Sequence, residues 1–356
     1  MLSFCLLLLL TLPGCGGGGT DSREYVYVAA PDASLRDRVS TLYSKTGLVH
    51  NGERLQVLER MQGKRFVRVR TPRGEEGWIQ ERYLADQQTF DEFQRMAAQY
   101  KDAPPQATGR VEEQVKVHVL PGRKTGYLYL LNEKDKVELL KRDTVDRNAP
   151  PLALQDEKGK SADKDDKDKD DEEDDQKKPD QPAILEDWWL VRDQQKRVGW
   201  IYGHTVYLDV PDEIAQYSEG QRMVAAFPLD QVRDEDKQVS EYLVLFTENK
   251  DGMPYDFNQV RVFTWNSRKH RYETAYRERE LTGVLPVTLG QQDFEREGKL
   301  RTFTLNLKTA EGSVRQQLYK FNPPIVRKVY AAGEEPPSKS HRKKAEATPR
   351  RHGRQS

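Results

Sequence analysis

The sequence predicts a mainly β protein, and three observations carry that expectation. A strand-and-turn unit recurs: Leu55-Gln-Val-Leu-Glu-Arg60 matches Val137-Glu-Leu-Leu-Lys-Arg142, and Phe66 to Arg70 followed by Gly77-Trp-Ile79 matches Trp188 to Arg192 followed by Gly199-Trp-Ile201. Within that unit Phe66, Val67, Arg68, Val69 and Arg70 alternate in polarity, the period of a half-buried strand. The stretch from about 222 to 332 carries further strand patterns separated by turn signals. The fold expected is therefore a repeated β unit, each copy followed by a short helix, and then a C-terminal antiparallel β-sheet domain closed as a sandwich or barrel.

The chain begins with an apolar run, Met1 to Leu10, and continues Leu12-Pro-Gly-Cys-Gly-Gly-Gly-Gly-Thr20. Spanning a bilayer takes roughly 20 apolar residues, so this run is too short. Proline and the glycines stop any helix there, because proline lacks a donor and glycine loses most entropy on ordering. Residues 1–14 read as an export signal and 15–24 as a flexible tether. The segment resembles the lipobox of bacterial lipoproteins. That resemblance implies cleavage before Cys15, lipidation of Cys15 and anchoring to a membrane, with a simple secreted or an uncleaved signal-anchor form as the alternative. By the same resemblance, Gly16 in place of an Asp implies the outer membrane in preference to the inner, in a protein of the cell envelope facing the periplasm. Cys5 lies inside the signal, so the mature chain has no partner for a disulfide.

The first unit covers 25–86. A helix and linker follow over 87–109, where Thr89 caps a stripe of Phe90, Phe93, Met96, Ala97 and Tyr100. The second unit covers 110–210 and is interrupted over about 148–182; a second helix over 211–221 starts at Pro211. Both helices read as docked on the adjoining units. In the domain over 222–332 the strands expected are Glu241 to Thr247, Gln259 to Trp265, Tyr272 to Arg277, Val284 to Leu289, Arg301 to Leu307 and Val314 to Phe321. Asn266 to Lys269 and Thr309 to Gly312 read as hairpin turns. This domain resembles no known family.

Net charge is zero, from 58 basic and 58 acidic residues, but two segments depart from it. Asp156 to Asp180 holds 13 acids and 7 lysines, a net charge of −6, and Lys339 to Ser356 holds 7 Lys plus Arg and one Glu, +6. Neither has the apolar content to offset chain entropy, so the acidic insertion and the basic tail over 333–356 are expected to be disordered. An exported basic tail meets anionic lipid or acidic wall polymer, and no nucleic-acid partner is expected.

Ser34-Leu-Arg-Asp-Arg-Val-Ser40, Gly47, Asn51 to Arg60, Phe66 to Arg70 and Gly77-Trp-Ile79 resemble the bacterial SH3 (SH3b) domain. The second copy is a divergent one, opening with Val115-Lys-Val-His-Val-Leu-Pro121. The resemblance implies two small SH3-like β-barrels of five to seven bent antiparallel strands. Such barrels present shallow aromatic grooves to extended peptides. The candidates for ligand contact are Tyr43, Trp78 and Tyr83 in the first copy and Tyr127, Trp200 and Tyr207 in the second, with filling of the barrel core as the competing role for Trp78 and Trp200. The ligand implied is peptidoglycan peptide or an envelope protein.

Paired carboxylates of a glycosidase need no local signature and could be drawn from the 58 acids, but the other catalytic sets need residues that the pattern does not supply. A cysteine peptidase needs a thiol beside a histidine, and only the tether-borne Cys15 remains. The six histidines form no His-Glu-x-x-His motif, and no phosphate-binding glycine loop or Gly-x-Ser-x-Gly occurs, so neither metal nor cofactor is expected. The expectation is a non-catalytic binding or scaffold protein, with an assembly subunit that never touches the wall as the alternative, and a wall hydrolase with its site in the C-terminal domain as the remaining one.

Overall fold

The computed structural model describes residues 23–39, 44–61, 65–149 and 182–330. Cys15, the expected tether up to residue 22, Tyr43, the acidic run Asp156 to Asp180 and the basic tail lie outside these residues. The chain divides into two compact units, Met1–Gln87 and Gln88–Ser356. Among the described residues no helix is long and apolar enough to cross a membrane.

The first unit holds β1 (Tyr25–Val28), β2 (Asp32–Arg36), β3 (Lys45–His50), β4 (Arg54–Arg60), β5 (Phe66–Arg70), β6 (Glu76–Gln80) and β7 (Leu84–Asp86), hydrogen-bonded in the order β3-β2-β6-β5-β4-β1-β7. Alternate residues of these strands meet in one core: Val26, Val28, Ala33, Leu35, Val49, Leu55, Val67, Val69 and Ile79. Glycine is required at Gly77, because a Cβ there would stand 2.7 Å from Leu35 Cβ.

In the second unit β8 (Ala107–Val111), β9 (Val115–His118), β10 (Tyr127–Leu131), β11 (Lys136–Asp146), β12 (Leu185–Asp193), β13 (Val198–Tyr202) and β14 (Val206–Leu208) follow the order β10-β9-β13-β12-β11-β8-β14. This is the strand order of the first sheet with every number raised by seven. The sequence repeat is therefore a topological one. Strands β11 and β12 stay paired to Asp146↔Leu185, so the acidic segment joins the tips of a long hairpin.

Helix α1 (Gln87–Gln99) follows the first barrel in sequence but docks on the second. Phe93 meets Tyr129 edge-on at 4.9 Å between centroids, in space left free by Gly199, whose Cβ would stand 2.7 Å from Phe93 Cε1. Arg192 of β12 donates to the carbonyls of Tyr100 and Lys101 at 2.8 Å and of Ala103 at 3.1 Å, meeting acceptors that the helix end leaves open. Its Nε also donates to Glu138 at 2.5 Å.

Helix α2 (Asp212–Ala215) is a single turn continued by a 3-10 turn over Gln216–Ser218, shorter than the stripe predicts. Its Ile214 enters the core of a four-stranded meander, with Val244, Phe246, Phe263 and Tyr272. That meander is β15 (Gln221–Asp234), β16 (Lys237–Glu248), β17 (Gln259–Asn266) and β18 (Arg271–Glu278); a second follows, β19 (Gly283–Phe294), β20 (Gly298–Lys308), β21 (Val314–Asn322) and β22 (Ile325–Val329). Both expected turns form. Asn266 Oδ1 accepts the amides of Arg268 and Lys269, and Gly312 takes φ 83°. The mainly β fold, with SH3-like barrels first and antiparallel sheets last, is the one the sequence predicts.

Candidate functional sites on the two barrels

In the first barrel, burial of Ile79 and Gly77 toward the core turns Trp78 to the other face of β6. Trp78 is half-buried there, in register with Arg36 of β2 and Arg68 of β5. It does not fill the core. Arg68 and Arg70 both donate to Glu76, at 3.0 and 2.6 Å. The Arg70 hydrogen bond, with Arg68, holds the Glu76 carboxyl below its usual range despite the opposing effect of burial. Tyr83 leans on the core cluster and receives a hydrogen bond from Arg82 at 3.1 Å, so it is largely a packing residue. A contact the sequence did not suggest is Arg54 stacked 3.6 Å above the Tyr25 ring.

The second barrel separates its three candidates. Trp200 is 7% exposed, across from His118 and Leu190, and serves packing. Tyr127 is half-buried under the Lys116 ammonium, 4.0 Å from its ring centre, and opens a row of rings. The row runs Tyr127, His118, Trp188, Tyr202, His204, with centroids 5.8, 5.3, 6.0 and 5.2 Å apart. Tyr207 stands apart from it, 66% exposed on the edge strand β14. It lines a cleft of about 450 Å³ walled also by Leu139, Trp189, Met223, His204 and Arg222.

A charged cluster forms part of the wall of that cleft. Asp187, with its side chain 2% exposed, accepts Arg222 Nη2 at 2.6 Å, Thr144 Oγ1 at 2.8 Å and the Gly252 amide at 3.1 Å. Asp251 accepts Arg222 Nη1 at 2.8 Å and faces His204 Nε2 at 2.9 Å. Burial alone would raise the Asp187 carboxyl, but the Arg142 charge and these donors outweigh it and bring it below its usual value. These contacts tie β11, β12, β15 and the loop after β16 to one another. His118 is the most perturbed imidazole: burial, with the Lys116 charge adding, pushes it down to about 4. Among the described residues no group of three or more His, Cys, Asp or Glu could hold a metal ion.

Comparison with known proteins places the first barrel. Residues 32–85 match the family model of the bacterial SH3 domain. An SH3 domain of this family suggests binding to the cell wall. No family model covers the C-terminal sheets, and no curated protein matches the chain. Among solved structures, an NlpC/P60 family protein from Bacillus cereus aligns at 10% identity over 70% of this chain and 93% of that one, with a TM-score of 0.22. NlpC2 from Trichomonas vaginalis aligns at 7% identity over 73% and 98%, TM-score 0.16. NlpC1 from the same organism aligns at 6% over 75% and 92%, TM-score 0.17. These neighbours correct the expectation that the chain is not an enzyme: they come from a family of hydrolases, and absence of catalysis is withdrawn. At TM-scores this low the likeness assigns no role to any residue. Both cysteines, Cys5 and Cys15, lie outside the described residues.

Proposed function

We propose that this chain is a lipid-anchored protein of the bacterial cell envelope that binds the peptide part of peptidoglycan through its SH3-like barrels. The observation that carries this reading is the bacterial SH3 match over 32–85 on a barrel whose strand order the second sheet repeats. Two outward aromatics supply contact surface, Trp78 on the first barrel and Tyr207 beside the cleft of the second. Aromatic faces with a few neighbouring charges suit extended peptides, which offer both apolar and hydrogen-bonding groups.

The order along the chain in this reading is signal 1–14, tether 15–24, first barrel 25–86, second barrel 110–210 and sheet domain 222–332. Lipidated Cys15 anchors the protein, in the outer membrane by preference, and the Gly16 to Gly19 tether lets the barrels stand off from it. The basic tail adds attraction to anionic lipid or wall polymer that fades with salt. Membrane fractionation tests the anchor: Cys15→Ser moves the protein to the soluble fraction, and unchanged membrane association would refute it. Titrating a purified stem peptide against the protein tests the ligand. Chemical-shift changes confined to residues near Trp78 or Tyr207 are expected, and no change at millimolar peptide would refute wall-peptide binding.

A further inference from the structure

One face of the first meander gathers three arginines around a single carboxylate. The side chain of Arg261 on β17 is 0% exposed, and its cross-strand partner on β18 is Arg277. Like charges placed directly opposite repel, so the pair needs an anion beside it. Glu219 supplies that anion from the turn after α2. Arg261 donates to its two carboxylate oxygens at 3.3 and 2.9 Å, and Arg277 Nη2 to the same oxygens at 3.3 and 3.5 Å. Arg261 Nη1 also donates to the Tyr217 carbonyl at 2.8 Å, so this guanidinium is spent inside the fold. Arg279 joins the group: Gln259, two residues from Arg261 on the same face of β17, accepts its Nε at 2.9 Å. Burial, and then the charges of Arg277 and Arg279, bring the Arg261 guanidinium below its ordinary value in spite of Glu219.

Arg277 and Arg279 are exposed, and their donors are only partly used. Among the described residues, Nε and Nη1 of Arg277 and both Nη atoms of Arg279 have no acceptor, and Glu219 is the only carboxylate paired with any of the three arginines. Three cations and one anion leave the group two positive charges in excess, 3 − 1 = 2. Guanidinium forks match the oxygens of a phosphoryl group, and a phosphate at neutral pH carries close to the two negative charges that balance this excess. We propose that Arg277 and Arg279 bind a phosphoryl dianion, which shares Arg277 with Glu219 as its internal competitor. None of the large exposed apolar side chains among the described residues lies on these strands or this turn, so the phosphate is water-borne and not a lipid headgroup. None of the four residues lines the cleft beside Tyr207, although Glu219 stands between two that do, Ser218 and Gly220.

Isothermal titration calorimetry of the full chain with sodium pyrophosphate, at pH 7.5 and fixed ionic strength, tests the proposal. Arg277→Gln/Arg279→Gln, a double variant at exposed positions where substitution changes stability little, should weaken binding at least about tenfold while the circular dichroism stays that of the parent. Attraction to the basic tail is common to both proteins and cancels in the comparison. Glu219→Gln removes the competing carboxylate and should tighten binding by about threefold or more, a gain that purely structural arginines would not give. The double variant carries the test if Glu219→Gln fails to fold. Flotation with phosphatidate vesicles checks the source of the phosphate, and the parent and the double variant should float alike. Equal pyrophosphate affinity in parent and double variant, no heat at millimolar pyrophosphate, a folded Glu219→Gln protein that binds no more tightly, or vesicle flotation that the double variant loses overturns the proposal.

Discussion

Acidifying the solution from pH 7 to pH 5 should destabilise the second unit through one residue, His118. Its imidazole is buried between Tyr127 and Trp188, and Nδ1 lies 3.1 Å from both the Thr125 carbonyl and Thr125 Oγ1. The single proton of the Thr125 hydroxyl goes to the Leu120 or Gly122 carbonyl, 2.7 and 2.8 Å away, and the Thr125 carbonyl can only accept, so Nδ1 carries the proton and donates to Thr125. A second proton would have to enter at Nε2, among rings and near Lys116. Burial therefore pushes the folded-state value to about 4, against 6.5 for the free side chain. Because the folded value is the lower one, the unfolded chain takes up the proton first as pH falls. His118's contribution is fully present above pH 6.5 and drains away down to pH 4. At 1.36 kcal/mol per pH unit the full loss is about 3 kcal/mol, of which about 2 kcal/mol is gone at pH 5. Urea denaturation at pH 7.5 and pH 5.0, for the parent and for His118→Gln, measures it. The parent should lose about 2 kcal/mol more than the variant over that interval. Equal losses in the two proteins would refute the reasoning, as would an His118 nuclear magnetic resonance titration with a midpoint near 6.5.

Four further outcomes follow from the packing. Gly199→Ala places a methyl against Val117 Cγ1 at 2.4 Å and Phe93, and should cost about 1–3 kcal/mol by thermal unfolding. Arg192→Ala strips three carbonyls at the end of α1 of their donor and leaves Glu138 unpaired, a loss of about 3–5 kcal/mol by urea midpoint. Asp187→Asn removes a counter-charge of buried Arg142 and should cost the second unit about 3 kcal/mol, read from the urea midpoint. Tyr207→Ala, at a side chain 66% exposed, should leave stability within about 0.5 kcal/mol of the parent, which calorimetry can check.

The six strands expected in the C-terminal domain were legible: β16 to β21 contain them, extended at their ends by up to a few residues, whether marked by alternation, as in β20, or by a run of apolar residues, as in β16. β15 was not legible, since bulges between Met223 and Ala225 and between Pro228 and Asp230 break its period of two. β22 was missed because it follows Pro323-Pro324, which reads as a stop. Alternation puts Trp78 on the face of β6 opposite core Ile79, but the same triplet leaves Trp200 buried, so the sequence did not decide which of the two would face outward. The aromatic row through His118, Trp188 and Tyr202 was not legible, because it depends on the register Trp188↔Tyr202 and on strands distant in sequence. In a chain 33% charged, Arg142, Asp187, Arg222 and Asp251 look like surface residues until the fold gathers them. The docking of α1 on the second barrel likewise rests on a vacancy at Gly199 that no local pattern announces.

The central claim is wall binding by the barrel aromatics. It is tested most directly by co-sedimentation of residues 20–332, free of the basic tail, with intact peptidoglycan sacculi at low and high salt. The account predicts pelleting that survives high salt and is lost in a Trp78→Ala/Tyr207→Ala double variant of parental stability. Absence of pelleting, or pelleting that the double variant retains, would contradict it.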